Sequence, residues 1–374
     1  MTFAADDHRF MARALQLSAR GLYTTDPNPR VGCVVVKDGR VVGEGFHRRA
    51  GEPHAEPLAL RAAGDAARGA TVYVTLEPCC HHGRTPPCTD ALLASGVARV
   101  VSGMQDPNPR VAGQGHALLR EAGVRVETGL LADESRALNP GFARRMESGL
   151  PYVRCKLAAS LDGRTAMASG ESQWITSDAA RRDVQLLRAR SSAIVTGVDT
   201  VIADDPSLNV RLPPAQVPGV DSPELLRQPV RVVLDSRLRT SPESKMLRLP
   251  GQTWVLCSQP HPERRRVLEA GGARVVELAG REGRLDLQAV FRFLGEEQVN
   301  EVLLEAGPTL GGAVLSERLI DELVIYVAPH LMGDESRGLF RLPGLQRMCE
   351  RIPLAVSDLR RVGTDFRITA TLAC

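Results

Sequence analysis

Through the first third of the chain the apolar residues gather in short β-branched runs separated by Ala/Leu-rich stretches, the rhythm of strands alternating with helices. Residues 31–36 form the first run, and Lys37-Asp38-Gly39-Arg40 behind it is a hairpin turn signal that returns the chain through Val41-Val42. Pro53-His54-Ala55-Glu56 opens a helix that Gly64 stops, which puts His54 and Glu56 in its first turns. Residues 70–76 read as another strand, ending at Glu77-Pro78-Cys79. A turn-rich loop and a helix over 89–95, stopped by Gly96, come next. Strand 99–103, helix 117–122 and strand 124–128 continue the pattern, so the class is α/β.

A second series begins near Gly149-Leu150-Pro151 with a strand at 152–158. Strand candidates follow at 193–196, 231–235, 253–257, 274–278, 301–305 and 323–328, with helices between most of them, the longest over 177–190. Residues 212–229 hold five prolines and little periodicity and read as an exposed insertion. The tail, 359–362 and 366–372 around Gly363-Thr364, reads as a closing hairpin. With 374 residues and roughly 150 per domain, two domains are expected, 1–148 and 149–374.

Charge narrows the function classes. Forty-seven basic residues face 44 acidic ones, a net +3, and aromatic residues make up 4%, so neither a basic track nor stacking platforms for nucleic acid are expected. The N-terminus carries two acids early and lacks an apolar segment, so it does not read as a signal peptide. No apolar run approaches the roughly 20 residues that span a bilayer. Of eight cysteines, Cys79, Cys80 and Cys88 lie within ten positions; without an export signal, that grouping favours metal over disulfides and a cytoplasmic location.

The sharpest chemical signal is His54-Ala55-Glu56, then Pro78-Cys79, then Cys88. One imidazole and two thiolates balance a zinc ion's charge and leave one position for water. The pKa of water, 15.7 in bulk, falls to about 7 on a catalytic zinc. Glu56, two residues from a ligand, is placed to take the water's proton and deliver it to a ring nitrogen and a leaving amine. This is the pattern of a zinc-dependent deaminase of a pyrimidine-like ring. The eight residues between Cys79 and Cys88 exceed the short Cys-x-x-Cys spacing, but ligands need only converge in space. The competing readings are a closed structural zinc, with Cys80, His81 or His82 as fourth ligand, and cysteines that are simply buried.

Asn28-Pro29-Arg30-Val31-Gly32, Gly51-Glu52-Pro53-His54-Ala55-Glu56, the stretch from Thr75 to Cys88 and Asp106-Pro107-Asn108-Pro109 resemble the bifunctional riboflavin-biosynthesis deaminase–reductases. The resemblance covers essentially the whole chain. It implies a cytidine-deaminase-like domain acting on 2,5-diamino-6-(5-phosphoribosylamino)pyrimidin-4(3H)-one, with one Zn2+ per chain. It also implies that Asn28, His47, His81, Arg84, Asp106 and Asn108 line the pocket, with His47 and Arg84 as cations that could meet the phosphate. Position 80 departs from the serine expected in this family; Cys80 reads as a harmless small residue, since Pro78-Cys79 keeps the register.

Unaided, the second half says less. Residues 301–305 followed by Ala306-Gly307-Pro308-Thr309-Leu310-Gly311-Gly312-Ala313 read as strand, glycine-rich turn and helix start, a pyrophosphate cradle or a mere tight turn. It is not the Gly-x-Gly-x-x-Gly fingerprint. Lys156 to Arg164, Ser172 to Thr176 and Asp204-Asp205-Pro206 resemble the same family's reductase half, which implies a dihydrofolate-reductase-like domain using NADPH to reduce the ribosyl side chain to ribityl. By that resemblance Ala158, Trp174, Thr200, Asp204, Ser236, Gly307, Thr309, Gly311 and Gly312 contact NADPH, while Ser172, Arg188, Leu208, Arg211 and Glu305 contact the sugar phosphate. Arg188 has an alternative as part of a solvated helix face with Arg181, Arg182 and Arg190. Lys156 and Asp162 are candidates for electrostatic or proton-transfer help, and Arg237 or Arg239 for the 2′-phosphate. A homodimer is expected, with no nucleic-acid or membrane partner. The remaining alternatives are a nucleic-acid-editing deaminase, a zinc-stabilised nucleotide sensor, and a deaminase whose reductase half is degenerate.

Overall fold

The computed structural model describes residues 3–83 and 86–373. The chain folds as two compact units, Met1–Gly149 with Pro214–Arg227, and Leu150–Pro213 with Gln228–Cys374.

The first unit is a five-stranded sheet in the order β2-β1-β3-β4-β5, made of β1 (Gly32–Lys37), β2 (Arg40–Phe46), β3 (Thr71–Leu76), β4 (Arg99–Met104) and β5 (Arg125–Thr128). The β1–β2 hairpin and the β1–β3 pair are antiparallel, whereas β3, β4 and β5 run parallel. Both faces are covered, which is why β1 reads as an unbroken apolar run. Cys33 and Val35 face one core with Ala55, Ala59 and Leu92, from α2 (Ala55–Ala63) and α3 (Cys88–Ala94). Val34 and Val36 face the other with Phe10, Met11, Ala14 and Leu17 of α1 (Ala5–Ala19). Helices α4 (Gln114–Glu121), α5 (Ala132–Leu138) and α6 (Pro140–Ser148) complete the unit.

Helix α2 lies directly on β2. A Cβ on Gly43 would sit 2.2 Å from the Ala59 carbonyl oxygen, and one on Gly45 would sit 2.5 Å from that of Ala55. The second contact sets the height of the helix's first turn, the turn that carries His54 and Glu56.

Of residues 212–229, expected as an exposed insertion, 214–227 belong to this first unit. Val217 and Val220 are 2% and 4% exposed, Asp221 pairs with Arg48 at 3.0 Å, and Arg227 pairs with Asp26 at 3.6 Å. The prolines mark a strap with its own anchors rather than a free loop.

The second unit centres on a nine-stranded sheet in the order β11-β10-β9-β8-β14-β6-β15-β18-β17. Its strands are β6 (Tyr152–Ser160), β8 (Ala193–Gly197), β9 (Val230–Leu234), β10 (Thr253–Cys257), β11 (Ala273–Glu277), β14 (Glu301–Leu304), β15 (Glu322–Ala328), β17 (Leu354–Val362) and β18 (Asp365–Leu372). Strands from β11 to β15 in that order are parallel, and the β17–β18 hairpin adds to β15 antiparallel. Two small ribbons pair β7 (Arg164–Ala166) with β16 (Arg337–Gly338) and β12 (Gly280–Arg281) with β13 (Arg284–Leu285). Helices α7 (Asp178–Arg190), α8 (Val198–Asp204), α9 (Lys245–Arg248), α10 (Pro262–Ala270), α11 (Leu287–Glu296) and α12 (Pro308–Ser316) connect the strands. Near the N-terminal ends of β6, β14 and β15, Arg154, 2% exposed, pairs with Glu301 at 2.5 Å and Glu322 at 3.0 Å, an ion-pair network that ties the three strands together.

Candidate active sites

In the first unit, three elements deliver three donors to one point. His54 is the residue before α2, Cys79 follows the end of β3, and Cys88 is the first residue of α3. His54 Nδ1 lies 3.6 Å from Cys79 Sγ and 3.3 Å from Cys88 Sγ, and the ligand atoms all fall within 4.8 Å of one another. The Cys88 backbone N–H donates to Cys79 Sγ at 3.3 Å. Donation from Cys88 and from His54 holds the Cys79 thiol well below its ordinary pKa. Neither cysteine is in a disulfide, and the donor set of one imidazole and two thiols fits zinc. Among the described residues, Cys80, His81 and His82 do not join the cluster, so it has the three ligands of a catalytic zinc rather than the four of a closed structural one.

Glu56 sits in the first turn of α2, 3% exposed and in hydrogen-bonding reach of the Cys88 thiol. Burial, reinforced by Cys79, pushes its carboxyl up to about 7, the range in which one group can both take and give a proton.

Around this cluster the Asn28 amide nitrogen meets His47 Nε2 at 3.0 Å, and His47 Nδ1 meets the Pro53 carbonyl at 3.1 Å. The imidazole therefore carries its proton on Nδ1, accepts from Asn28 and packs edge-on against His54 with centroids 5.1 Å apart. It is 2% exposed, and burial pushes its pKa down to about 4. A cationic His47 meeting the phosphate is thus corrected: both its nitrogens are engaged, by Asn28 and the Pro53 carbonyl, and burial disfavours its charged form. Asp106 is 7% exposed and accepts the Asn108 N–H at 2.8 Å; burial pushes its carboxyl up to about 7. The Asn108 side-chain oxygen accepts the Arg110 N–H at 3.1 Å, and His81 is exposed. Arg84 lies outside the described residues.

One buried group here escaped sequence reasoning. Glu77, whose side chain is fully buried, accepts the backbone N–H groups of Asp106, Gly113 and His116 at 3.1, 2.9 and 3.2 Å. The available signal was an acid at the end of a buried apolar strand.

In the second unit the expected residues gather at the C-terminal ends of the parallel strands, where open α/β sheets bind ligands. Lys156 and Ala158 are on the face of β6 opposite Cys155 and Leu157, which fill a core. Thr200 and exposed Asp204 are on α8 just after β8, Ser236 follows β9, and Glu305 follows β14. Arg188 donates to both oxygens of Glu305, at 2.7 and 2.8 Å, and to the Asn209 carbonyl at 3.1 Å. At 8% exposed, Arg188 is not part of a solvated helix face. Arg211 is held nearby, its N–H on Gln185 at 2.9 Å and its guanidinium on Asn209 at 3.3 Å. Ser172 is half-buried; Trp174 is 70% exposed with the Arg181 guanidinium 4.6 Å from its ring centroid.

Several expectations need correction. The Leu208 side chain is 2% exposed inside a core cluster, so only its backbone is left to meet a substrate. Gly307 and Thr309 are exposed at the start of α12, but Gly311 packs on Phe340, and a Cβ on Gly312 would lie 2.2 Å from the Arg341 carbonyl oxygen. Gly312 thus serves close packing against the 340–341 segment, whereas Gly311 has room for ordinary contact with Phe340. Asp162 accepts from Ser160, Met332 and Gly333, which together hold its carboxyl down to about 2. It anchors a turn as an anion, which leaves electrostatic help, rather than proton donation, as the role open to it. The Ser236 hydroxyl accepts the Leu285 N–H at 3.1 Å, and Arg239 is tied to Asp199 at 2.6 Å, while Arg237 is exposed.

Comparison with known proteins adds the following. Residues 151–367 match the family described as RibD C-terminal domain, and residues 4–104 match the cytidine and deoxycytidylate deaminase zinc-binding region. The riboflavin biosynthesis protein RibD of Escherichia coli is 54% identical over 361 residues, covering 96% of this chain and 97% of that one. The crystal form 1 structure of Acinetobacter baumannii RibD is 46% identical with a TM-score of 0.91, covering 99% of each chain. A Thermotoga maritima structure, described as a diaminohydroxyphosphoribosylaminopyrimidine deaminase/5-amino-6-(5-phosphoribosylamino)uracil reductase, is 32% identical with a TM-score of 0.84, covering 98% of this chain and 99% of that one.

Proposed function

The chain belongs to the RibD family of riboflavin-biosynthesis proteins, and on that premise we propose how its residues divide two consecutive reactions. It is a bifunctional deaminase and reductase that uses zinc and NADPH. The first reaction removes the ring amine of the phosphoribosylated diaminopyrimidine as ammonia, and the second reduces the ribosyl chain of the product to ribityl. The observation that carries the reading is the convergence of His54, Cys79 and Cys88 beside the buried carboxyl of Glu56.

Zinc, when bound by those three residues, supplies a Lewis acid that makes water nucleophilic near neutral pH. The rest is the work of the chain. Glu56 takes one proton from the attacking water and gives it to the ring nitrogen, then carries the second proton of that oxygen to the amine, which leaves as ammonia as the C–N bond breaks. Asn28, oriented by His47, and Asn108, on the loop behind Asp106, offer donor and acceptor atoms to the ring edge.

For the reductase we assign NADPH to the C-terminal edge of the sheet, along Ala158, Thr200, Asp204, Ser236 and the uncapped N-terminus of α12 at Gly307 and Thr309. Lys156 and Glu305 face the ribose, with Arg188 holding Glu305 in place. Arg211 takes the 5-phosphate, and Ser172 and Trp174 border the same edge. Since Arg239 is already paired, Arg237 is the group for the 2′-phosphate. Unchanged preference for NADPH over NADH in Arg237→Ala would remove that assignment.

We also assign a cytosolic homodimer with no affinity for nucleic acid. Strand β17 is a sheet edge carrying Val356 and Leu359 at 60% and 64% exposure, a surface suited to a second copy. Light scattering should give a dimer for the wild type and a monomer for Leu359→Glu; a monomeric wild type defeats the assignment.

The deciding experiment follows ammonia release and NADPH consumption together, in wild type and in Glu56→Gln. Wild type should do both, and the variant should keep zinc, release no ammonia and leave NADPH untouched until deaminated substrate is added. Ammonia release undiminished in Glu56→Gln would overturn the proton-transfer role.

A further inference from the structure

Strand β3 ends at Leu76, and the next three residues diverge in purpose. The Glu77 N–H continues the pairing with β4 by donating to the Met104 carbonyl at 2.9 Å, Pro78 turns the chain, and Cys79 is a metal ligand. The Glu77 side chain does not follow the chain towards the metal. It reaches across the end of β4 into the loop that joins β4 to α4. There Oε2 accepts from Asp106 and Gly113, and Oε1 accepts from His116. Gly113 caps α4 and His116 lies in its first turn, so an anion from a different strand occupies the helix's N-terminal end. His116 is fastened in turn, its Nε2 meeting the Ser102 hydroxyl of β4 at 2.8 Å. From Asp106 the chain of contacts continues to Asn108, whose N–H the Asp106 carboxyl accepts.

We propose that Glu77 is a positioning residue of the deaminase, a buried carboxylate that fixes the Asp106–Asn108 loop relative to the strand end bearing Cys79. The inference rests on the reading above that Asp106 and Asn108 border the pyrimidine. Three N–H donors converge on two oxygens, and only a carboxylate satisfies all three. An amide in its place turns an NH2 group towards at least one donor, and the loop must move to relieve that conflict. The backbone is close beside the carboxylate as well: a Cβ on Gly115, in the first turn of α4, would lie 2.1 Å from the Pro78 carbonyl oxygen and 3.3 Å from Glu77 Oε1.

The test measures kcat and KM for ammonia release, zinc content, and NADPH oxidation on supplied deaminated substrate, in Glu77→Gln, Asn108→Ala and the double variant. The reductase reaction reports folding in the same molecule. Glu77→Gln is expected to raise KM about tenfold, the size of one lost hydrogen bond, with kcat within about twofold and with zinc and reductase turnover unchanged. In the Asn108→Ala background the same change should add little, because both substitutions remove one contact. Gly115→Ala, which keeps the carboxylate but puts a Cβ against the Pro78 carbonyl oxygen and 3.3 Å from Glu77 Oε1, should reproduce the KM signature if Glu77→Gln does not accumulate as folded protein. The proposal is overturned by an unchanged KM in Glu77→Gln, by loss of zinc or reductase turnover with it, or by effects that multiply in the double variant. An unchanged KM in Asn108→Ala alone overturns the pocket reading instead, and this inference falls with it.

Discussion

Arg188 and Glu305 form a two-pronged ion pair, Nε to Oε1 at 2.7 Å and Nη2 to Oε2 at 2.8 Å, with both side chains largely buried. The pairing fixes the plane of the carboxylate, and under the proposed assignment Arg188 acts on the ribose through Glu305. Lysine cannot reproduce the fork. Arg188→Lys is expected to lower reductase kcat/KM by about tenfold or more and leave ammonia release intact. Burial pushes the Glu305 carboxyl up, and Arg188 and Lys156 more than reverse this. With Arg188→Ala the burial effect prevails, so the acid limb of the reductase pH profile should move to higher pH. A limb that stays in place would show that Glu305 does not govern it.

Gly45 supports the deaminase from beneath. Because a Cβ there would meet the Ala55 carbonyl oxygen at 2.5 Å, Gly45→Ala must lift the first turn of α2. Deaminase turnover should fall at least about tenfold, with a loss of about 1–3 kcal/mol in stability. Urea unfolding alongside the ammonia assay measures both.

Metal removal separates the two activities. Dialysis against a chelator should abolish ammonia release, and NADPH oxidation on supplied deaminated substrate should persist. Cys88→Ser should lose zinc by elemental analysis, whereas Cys80→Ser, outside the cluster, should retain one zinc per chain with unchanged turnover. Zinc loss in Cys80→Ser would show that it competes as a ligand.

Acid should weaken the first unit through Asp7. Arg99 beside it, with Tyr73 and the Ala4 N–H donating to it, holds its carboxyl far below the usual range. A carboxyl lowered on folding contributes stability above its unfolded pKa and loses that contribution as pH falls towards its folded one. Asp7→Asn should therefore cost about 2 kcal/mol at pH 7. The gap from wild type in thermal unfolding should narrow as pH falls below about 4. A gap independent of pH would mean the ion pair is not its source.

Where burial is two-sided or turns are punctuated by glycine, local pattern and final structure coincide: β1, its hairpin, α2 up to Gly64 and the closing β17–β18 hairpin all lie within a few residues of expectation. Helix α1 was missed because its inward stripe of Phe10, Met11, Ala14 and Leu17 is interleaved with Asp6, Asp7, Arg9 and Arg13. The metal ligands were legible because three scarce residue types had to recur in one order. Glu77 was not, since its partners are backbone N–H groups 29 to 39 positions away that no side-chain pattern records. The packing of Gly312 and of the Leu208 side chain was illegible for a related reason. A glycine needed for close packing against Arg341 looks, in sequence, the same as one needed for a phosphate. Likewise a leucine beside a binding loop gives no sign that it points inward.

The strap at 214–227 gives the chain a property that neither reaction requires. A stretch encoded in the middle of the reductase half completes the surface of the deaminase, with Val217 and Val220 covered and Asp221 and Arg227 clasped by Arg48 and Asp26. A cut at the codon after Gly149 would therefore leave the strap on the other fragment, and a deaminase transplanted at that junction would lack the covering of Val217 and Val220 and the partners of Arg48 and Asp26.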